Sequence, residues 1–226
     1  MSIKLLNVIG SYKGLPHQKQ AIEALERLLG ASGLADDAEW VKAWRGAAQA
    51  PPGPSRNPLA VPYFYQNDNK SGKGYRECFS SSCAMLAAYK GKVKSDDQYN
   101  LIRQNFGDTT DLGAQLGALT KLGLSPTFKS NGTAKDLETL IDAGQPVAVG
   151  WLHKGPVSAP TGGGHWSIII GYTLTHFIFH DPNGEAALVG GGYANHSNGK
   201  GISYSRKNWL PRWEVDGPGT GWYLYV

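Results

Sequence analysis

GGGHWSIIIGYTLTHFIFHDPNG, residues 162–184, holds two apolar runs joined by a short connection. HWSIIIGY is rich in β-branched and aromatic residues and follows three glycines. THFIFH ends at the turn signature DPNG. Such runs bounded by turn residues read as strands. With YTLT between them they form an antiparallel hairpin, which sets the start of the first strand beside the end of the second. His165 stands at the first position and Asp181 at the second, so the topology makes them neighbours.

Working outward, QPVAVGWLH and the terminal GWYLYV add apolar runs, and LAVPYFYQ near residue 60 is β-like. LSPTF reads as a short strand. Between these lie helical patterns. CFSSSCAMLAAYKG ends at Gly91; SDDQYNLIRQNFG and DLGAQLGALTKLG open on Ser or Asp caps and close on Gly; TAKDLETLIDAG has a Thr cap. Helices come first and strands later. This segregation predicts an α+β fold, a helical layer on an antiparallel sheet, rather than alternating βαβ units.

The first 48 residues differ in character. LPHQKQAIEALERLLG places Ile22, Leu25, Leu28 and Leu29 at helical spacing, and ADDAEWVKAWRGAA carries Trp40, Val41 and Trp44 on one face. Prolines concentrated over residues 49–58 then mark a stiff linker. The expected organisation is a helical segment over 1–48, the linker over 49–58 and the main domain over 59–226.

At 226 residues the chain can bury a sizeable core. Its net charge of +4 favours anionic surfaces only weakly, and no dense Lys/Arg stripe supports a nucleic-acid partner. No apolar run approaches the roughly 20 residues of a membrane span. MSIKLLNVIGSYKG is too short and too broken for a secretory signal, so synthesis in the cytoplasm is expected.

Two cysteines, Cys78 and Cys83 in ECFSSSCAML, rule out a disulfide scaffold and a four-cysteine metal site. On a helix, positions five apart differ by about 140° around the axis and about 7.5 Å along it. A disulfide needs Cα atoms within about 7 Å, so a local bridge is disfavoured. Cys83 shares a face with Phe79, Leu86 and Ala87 and reads as core. Cys78 starts the helix after a Gly-rich polar loop, where main-chain N–H groups and the helix dipole favour a thiolate. A catalytic thiol also needs a base and an orienter, and the hairpin supplies His165 and Asp181. Gln66, twelve residues before Cys78, offers a side-chain amide that with the Cys78 N–H would form an oxyanion hole.

Together, VPYFYQNDN, ECFSSSCAML, GLSPTF, DLETLIDAGQPVAVGWLH, GGGHWSIIIGY and FHDPNG resemble the C39-like branch of papain-fold cysteine peptidases over residues 59–226. That branch occurs in many bacterial and phage wall-directed proteins. The short YKGLPHQ helical N-terminus is similar to that of proteins from cyanobacteria and their phages. The resemblance implies a papain-like fold, Cys78 as nucleophile, His165 as base, Asp181 as orienter and Gln66 in the oxyanion hole, with no cofactor and no metal. It further implies a peptidoglycan hydrolase of lysin or virion-associated type, acting on wall peptide at the bacterial cell wall or as a virion component. The rival expectations are a protein-processing peptidase and a virion structural or binding protein that keeps the fold. Phe79 stands where related peptidases often have Gly, which implies a crowded cleft. Phe79 and Trp166 are the substrate-binding candidates, with a sheet-core role for Trp166 equally open.

Other candidates are weaker. In NDNKSGKGYREC, Asn67, Asn69 and Ser71 alternate as in part of a calcium loop, but the twelfth position is Cys78 and Glu77 comes one place early. A flexible loop beside the cleft is the better expectation. His17, His153, His176, His180 and His196 read as packed or surface histidines, with His180 pointing away from Asp181's side of its strand. Trp209, Trp213 and Trp222 pack against the domain or line a saccharide groove.

Overall fold

The computed structural model describes residues 57–226, which belong to one compact unit. The 1–48 helical segment and residues 49–56 of the linker lie outside the described residues. Three helices come first: α1 (Cys78–Tyr89), α2 (Asp96–Arg103) and α3 (Leu112–Lys121). They are followed by β1 (Thr127–Gly132), α4 (Ala134–Asp142), β2 (Val147–Trp151), β3 (His165–Tyr172) and β4 (His176–His180). The remainder is β5 (Glu185–Ala186), β6 (Tyr193–Asn195), β7 (Lys200–Ser205), α5 (Arg206–Trp213) and β8 (Gly221–Tyr225). Six strands form one antiparallel sheet in the order β1-β8-β2-β3-β4-β7, and β5 pairs with β6 in a separate small hairpin. The fold is α+β and papain-like.

Local chemistry explains the boundaries. The Ser95 hydroxyl accepts from the Gln98 N–H and the Asp111 carboxylate from the Gly113 N–H, capping α2 and α3. Thr133 and Asp136 form a reciprocal capping box at α4. Gly91, at φ +70°, lies just past α1 in the left-handed region that glycine adopts without a Cβ penalty.

Helix α1 is enclosed from Phe79 to Ala87. Its serines make that possible, being small and finding partners. Ser80 hydrogen-bonds Thr109 (2.7 Å) and Gln115 (2.9 Å), and Ser81 donates to Asp96 (2.9 Å). α1 packs on β3 and β2, on the face bearing Trp166 and Ile168. On the other face Phe177 and Phe179 of β4 meet Trp209 of α5, which stacks on Trp213 at 5.2 Å. Trp209 and Trp213 are core residues, whereas Trp222 is 53% exposed. Helix α5 and strands β5, β6 and β7 have no counterpart in the sequence expectations.

LAVPYFYQ departs from expectation. It joins no strand, because Pro58 and Pro62 lack the N–H groups a ladder requires and the Val61 N–H turns back to the Leu59 carbonyl at 2.9 Å. Leu59 N–H donates to the Ile170 carbonyl (2.7 Å), where a bulge in β3 frees that acceptor, and Gln66 N–H donates to Pro182 O (2.9 Å). The Asn57 amide clamps the Tyr172 main chain from both sides, donating at 2.9 Å and accepting at 2.8 Å. The segment is a strap across the hairpin, and its far end delivers Gln66 to the site. No helix among the described residues is long and apolar enough to cross a membrane.

Candidate active site

Three elements converge where β3 begins. Cys78 is the first residue of α1, His165 the first of β3, and Asp181 directly follows β4. His165 Nε2 and Asp181 Oδ1 are 2.8 Å apart. This leaves Nδ1 of the ring for Cys78, whose thiolate the His165 side chain and the Trp166 main chain both favour. Both cysteines are free thiols; Cys78 is half-buried and Cys83 fully buried.

The electrostatics follow from these contacts. Burial pushes the Cys78 thiol up, but the positive charge of His165, its hydrogen bond and the Trp166 main chain outweigh it, so the thiol lies below its ordinary value. Burial alone would push the His165 imidazole down. The Asp181 charge and then Cys78 reverse this, raising it to about 10. Both shifts favour a thiolate–imidazolium pair. Cys83 behaves oppositely, for burial drives its thiol well above the ordinary range.

Asp181 is completely enclosed and well supplied with donors. Besides His165, its carboxylate accepts from the Tyr204 hydroxyl (3.1 Å), the Asn183 N–H (3.0 Å) and, more distantly, the Tyr193 hydroxyl (3.4 Å). Tyr204 also accepts from the Ala186 N–H at 2.7 Å, tying β7 to the small hairpin. The His165 ring sits among aromatic neighbours: Trp151 at 5.3 Å, and His153 and Tyr193 each at 5.6 Å between ring centroids. His153 is lowered to about 4, chiefly by burial and then by the charge of His165, so it stays neutral near pH 7.

Gln66 is buried, and its Nε2 donates to Gly74 O at 2.8 Å while Oε1 has no side-chain or main-chain partner. Glycine is required at 74, since a Cβ there would come within 2.2 Å of the Gln66 carbonyl oxygen. In the same loop Asn69 turns inward, whereas Asn67 is exposed and donates to Asn183 Oδ1 at 2.9 Å. Glu77 accepts from Asn69 Nδ2 (2.7 Å) and Ser71 Oγ (2.9 Å), with the Arg103 guanidinium at 4.0 Å. Among the described residues no group of three or more His, Cys, Asp or Glu is placed to hold a metal ion.

Phe79 and Trp166 do not line an open pocket side by side. Phe79 is 3% exposed, and its ring lies flat on Trp166 with centroids 3.8 Å apart and planes within 8°. Phe79 therefore gives its face to Trp166 rather than to a substrate. Trp166 continues through Phe128 (6.5 Å) to the exposed Trp222 (5.9 Å from Phe128).

A model of the Peptidase_C39 like family matches residues 58–209. The chain belongs to the C39-like peptidase family. Among solved structures, this C39-like peptidase is similar to a C39-like peptidase from Bacillus anthracis, at 16% identity and a TM-score of 0.52 over 74% of this chain and 94% of the other. A double-glycine-motif protease from an AMS/PCAT transporter, solved with its leader peptide, matches at 16% identity and a TM-score of 0.47, covering 76% and 94%. The peptidase domain of the Streptococcus transporter ComA matches at 17% identity and a TM-score of 0.45, covering 66% and 90%. No curated protein sequence matches the chain.

Sequence reasoning did not find Tyr204, Tyr193, His153 or Gly74 in this C39-like site. One signal was present, since GISYS alternates Ile202 and Tyr204 onto a single strand face. His153 and Tyr193 carry no local pattern; His153 reaches His165 from a loop and Tyr193 from the start of β6.

Proposed function

We propose that this C39-like peptidase hydrolyses peptide bonds in bacterial peptidoglycan, as a phage lysin or virion-associated wall hydrolase, through a Cys78–His165–Asp181 triad. The observation that carries the reaction class is the buried line of thiol, imidazole and carboxylate, with His165 Nε2 2.8 Å from Asp181 Oδ1. The Cys78 thiolate attacks the amide carbonyl carbon, and the carbonyl electrons move to oxygen. The Cys78 main-chain N–H and Gln66 Nε2 receive that oxyanion. Gln66 has spent one of its two N–H bonds on Gly74, and the second is the catalytic donor. His165 gives its proton to the departing amine as the C–N bond breaks. A water then loses a proton to His165, attacks the thioester and releases the acid and free Cys78. Asp181 holds the ring in place and stabilises its charged form.

The wall substrate draws support from the modest positive charge and the family resemblance. The aromatic row of Trp166, Phe128 and Trp222, half-buried at its first two members and exposed at Trp222, favours a second reading: processing of a protein segment with apolar side chains. Digesting purified sacculi with wild type and Cys78→Ala separates the two. Mass spectrometry should find new amino termini with wild type alone. Intact sacculi, together with wild-type cleavage of a peptide library at apolar residues, would establish the processing reading instead.

A further inference from the structure

We infer that the Phe79–Trp166 stack, backed by Gly150, is a positioning device that sets how closely Cys78 meets His165. This rests on the reading of Cys78 and His165 as nucleophile and base. Each ring belongs to the residue immediately after one of that pair: Phe79 follows the thiol on α1, and Trp166 follows the imidazole on β3. The rings meet face to face at 3.8 Å with an 8° tilt, which is aromatic contact distance without slack. The two rings in contact thus set the separation of helix start and strand start, on the opposite sheet face from the His165 side chain.

The indole cannot retreat from this contact. Behind it stands Gly150 of β2, which pairs in register with Trp166, and a Cβ at Gly150 would come within 2.9 Å of the indole carbons Cε2 and Cζ2. Trp166 therefore fills a slot between the Phe79 ring and the β2 backbone. The same residue's main chain is among the groups that favour the Cys78 thiolate, so a shift of the indole is passed to the thiol through one residue. Phe79 is 3% exposed, which removes it from direct substrate contact and leaves the stack as its role. Packed interiors transmit such displacements because they hold little free volume.

The test uses full-length Phe79→Leu, which keeps an apolar side chain but removes the stack, and Gly150→Ala, which keeps both rings and pushes the indole. Iodoacetamide alkylation of Cys78 is followed against pH by mass spectrometry, with circular dichroism reporting the fold. Both variants should move the midpoint of Cys78 alkylation up by about one pH unit, equivalent to about tenfold less thiolate at a given pH on the acid side. Phe79→Tyr should restore the wild-type midpoint by restoring a ring. If Phe79→Leu does not fold, Gly150→Ala decides alone. A folded Gly150→Ala or Phe79→Leu protein with a wild-type alkylation profile overturns the inference, even if its KM for substrate has changed. Failure of the nucleophile assignment shows elsewhere, as an ordinary Cys78 alkylation profile in the wild-type protein.

Discussion

Cys78 and Cys83 are the same residue type five positions apart on one helix, and their surroundings make them chemically different. Cys78 has a charged imidazole and a main-chain donor at its sulfur, whereas Cys83 has only burial and the Tyr99 side chain. The pair formed by Cys78 and His165 exists over the range between the lowered thiol value and about pH 10, where His165 gives up its proton. Alkylation of Cys78 should therefore set in at lower pH than that of an ordinary thiol. Cys83 should remain unmodified until the protein unfolds. Peptide hydrolysis should decline as pH rises through about 10, because the leaving amine then lacks its proton donor. Time-resolved mass spectrometry of the alkylated protein and a pH–rate profile check these outcomes. Equal, slow labelling of both thiols would contradict the ion pair.

Among the elements, β7 does more than close the sheet edge. Tyr204 passes one hydroxyl between the Asp181 carboxylate and the Ala186 N–H, both buried. Tyr204→Phe removes the donor from one and the acceptor from the other. It should cost about 1–3 kcal/mol in urea unfolding, since a buried polar group left alone costs roughly that much. It should also lower kcat more than it raises KM, because the hydroxyl acts on the orienter and not on substrate. An unchanged kcat in a folded variant would show that Asn183 and Tyr193 hold Asp181 without it. The helices and hairpin were legible in sequence because their signals are local, as with Ser95, Asp111 and Thr133 at caps and the GGGHWSIIIGY run. The β-like reading of LAVPYFYQ failed because apolar alternation was weighed over Pro58 and Pro62. α5 was not legible because SRKNWLPRW carries a proline inside its helix, whereas β7 did carry a signal in the alternation of Ile202 and Tyr204.

At the scale of the described domain, Arg212 shows how distant segments are held around the site. Its enclosed guanidinium donates to four carbonyls: Leu188 (2.8 Å), Leu152 and Lys154 (3.1 Å each) and Gly155 (2.7 Å). It thereby brackets the loop that presents His153 to His165 and anchors the connection between β5 and β6 that leads to Tyr193. Arg212→Met leaves those acceptors buried and bare and should cost about 3 kcal/mol or more. Chemical denaturation measures that loss. Hydrogen exchange should show it concentrated in residues 152–155 and 187–193.

The sequence by itself determined the α+β class, the antiparallel hairpin, and the meeting of His165 with Asp181, because strand period and turn residues act over a few positions. It also distinguished Cys78 from Cys83, because helix geometry turns residues five apart to different faces. Only the tertiary structure decided that Phe79 belongs to a stack rather than a binding surface. It alone placed Tyr204, Tyr193 and His153 beside His165 and Asp181 and turned LAVPYFYQ into a strap. Those contacts join residues far apart in the chain, and no local pattern in a sequence specifies which distant side chain will fill a given space.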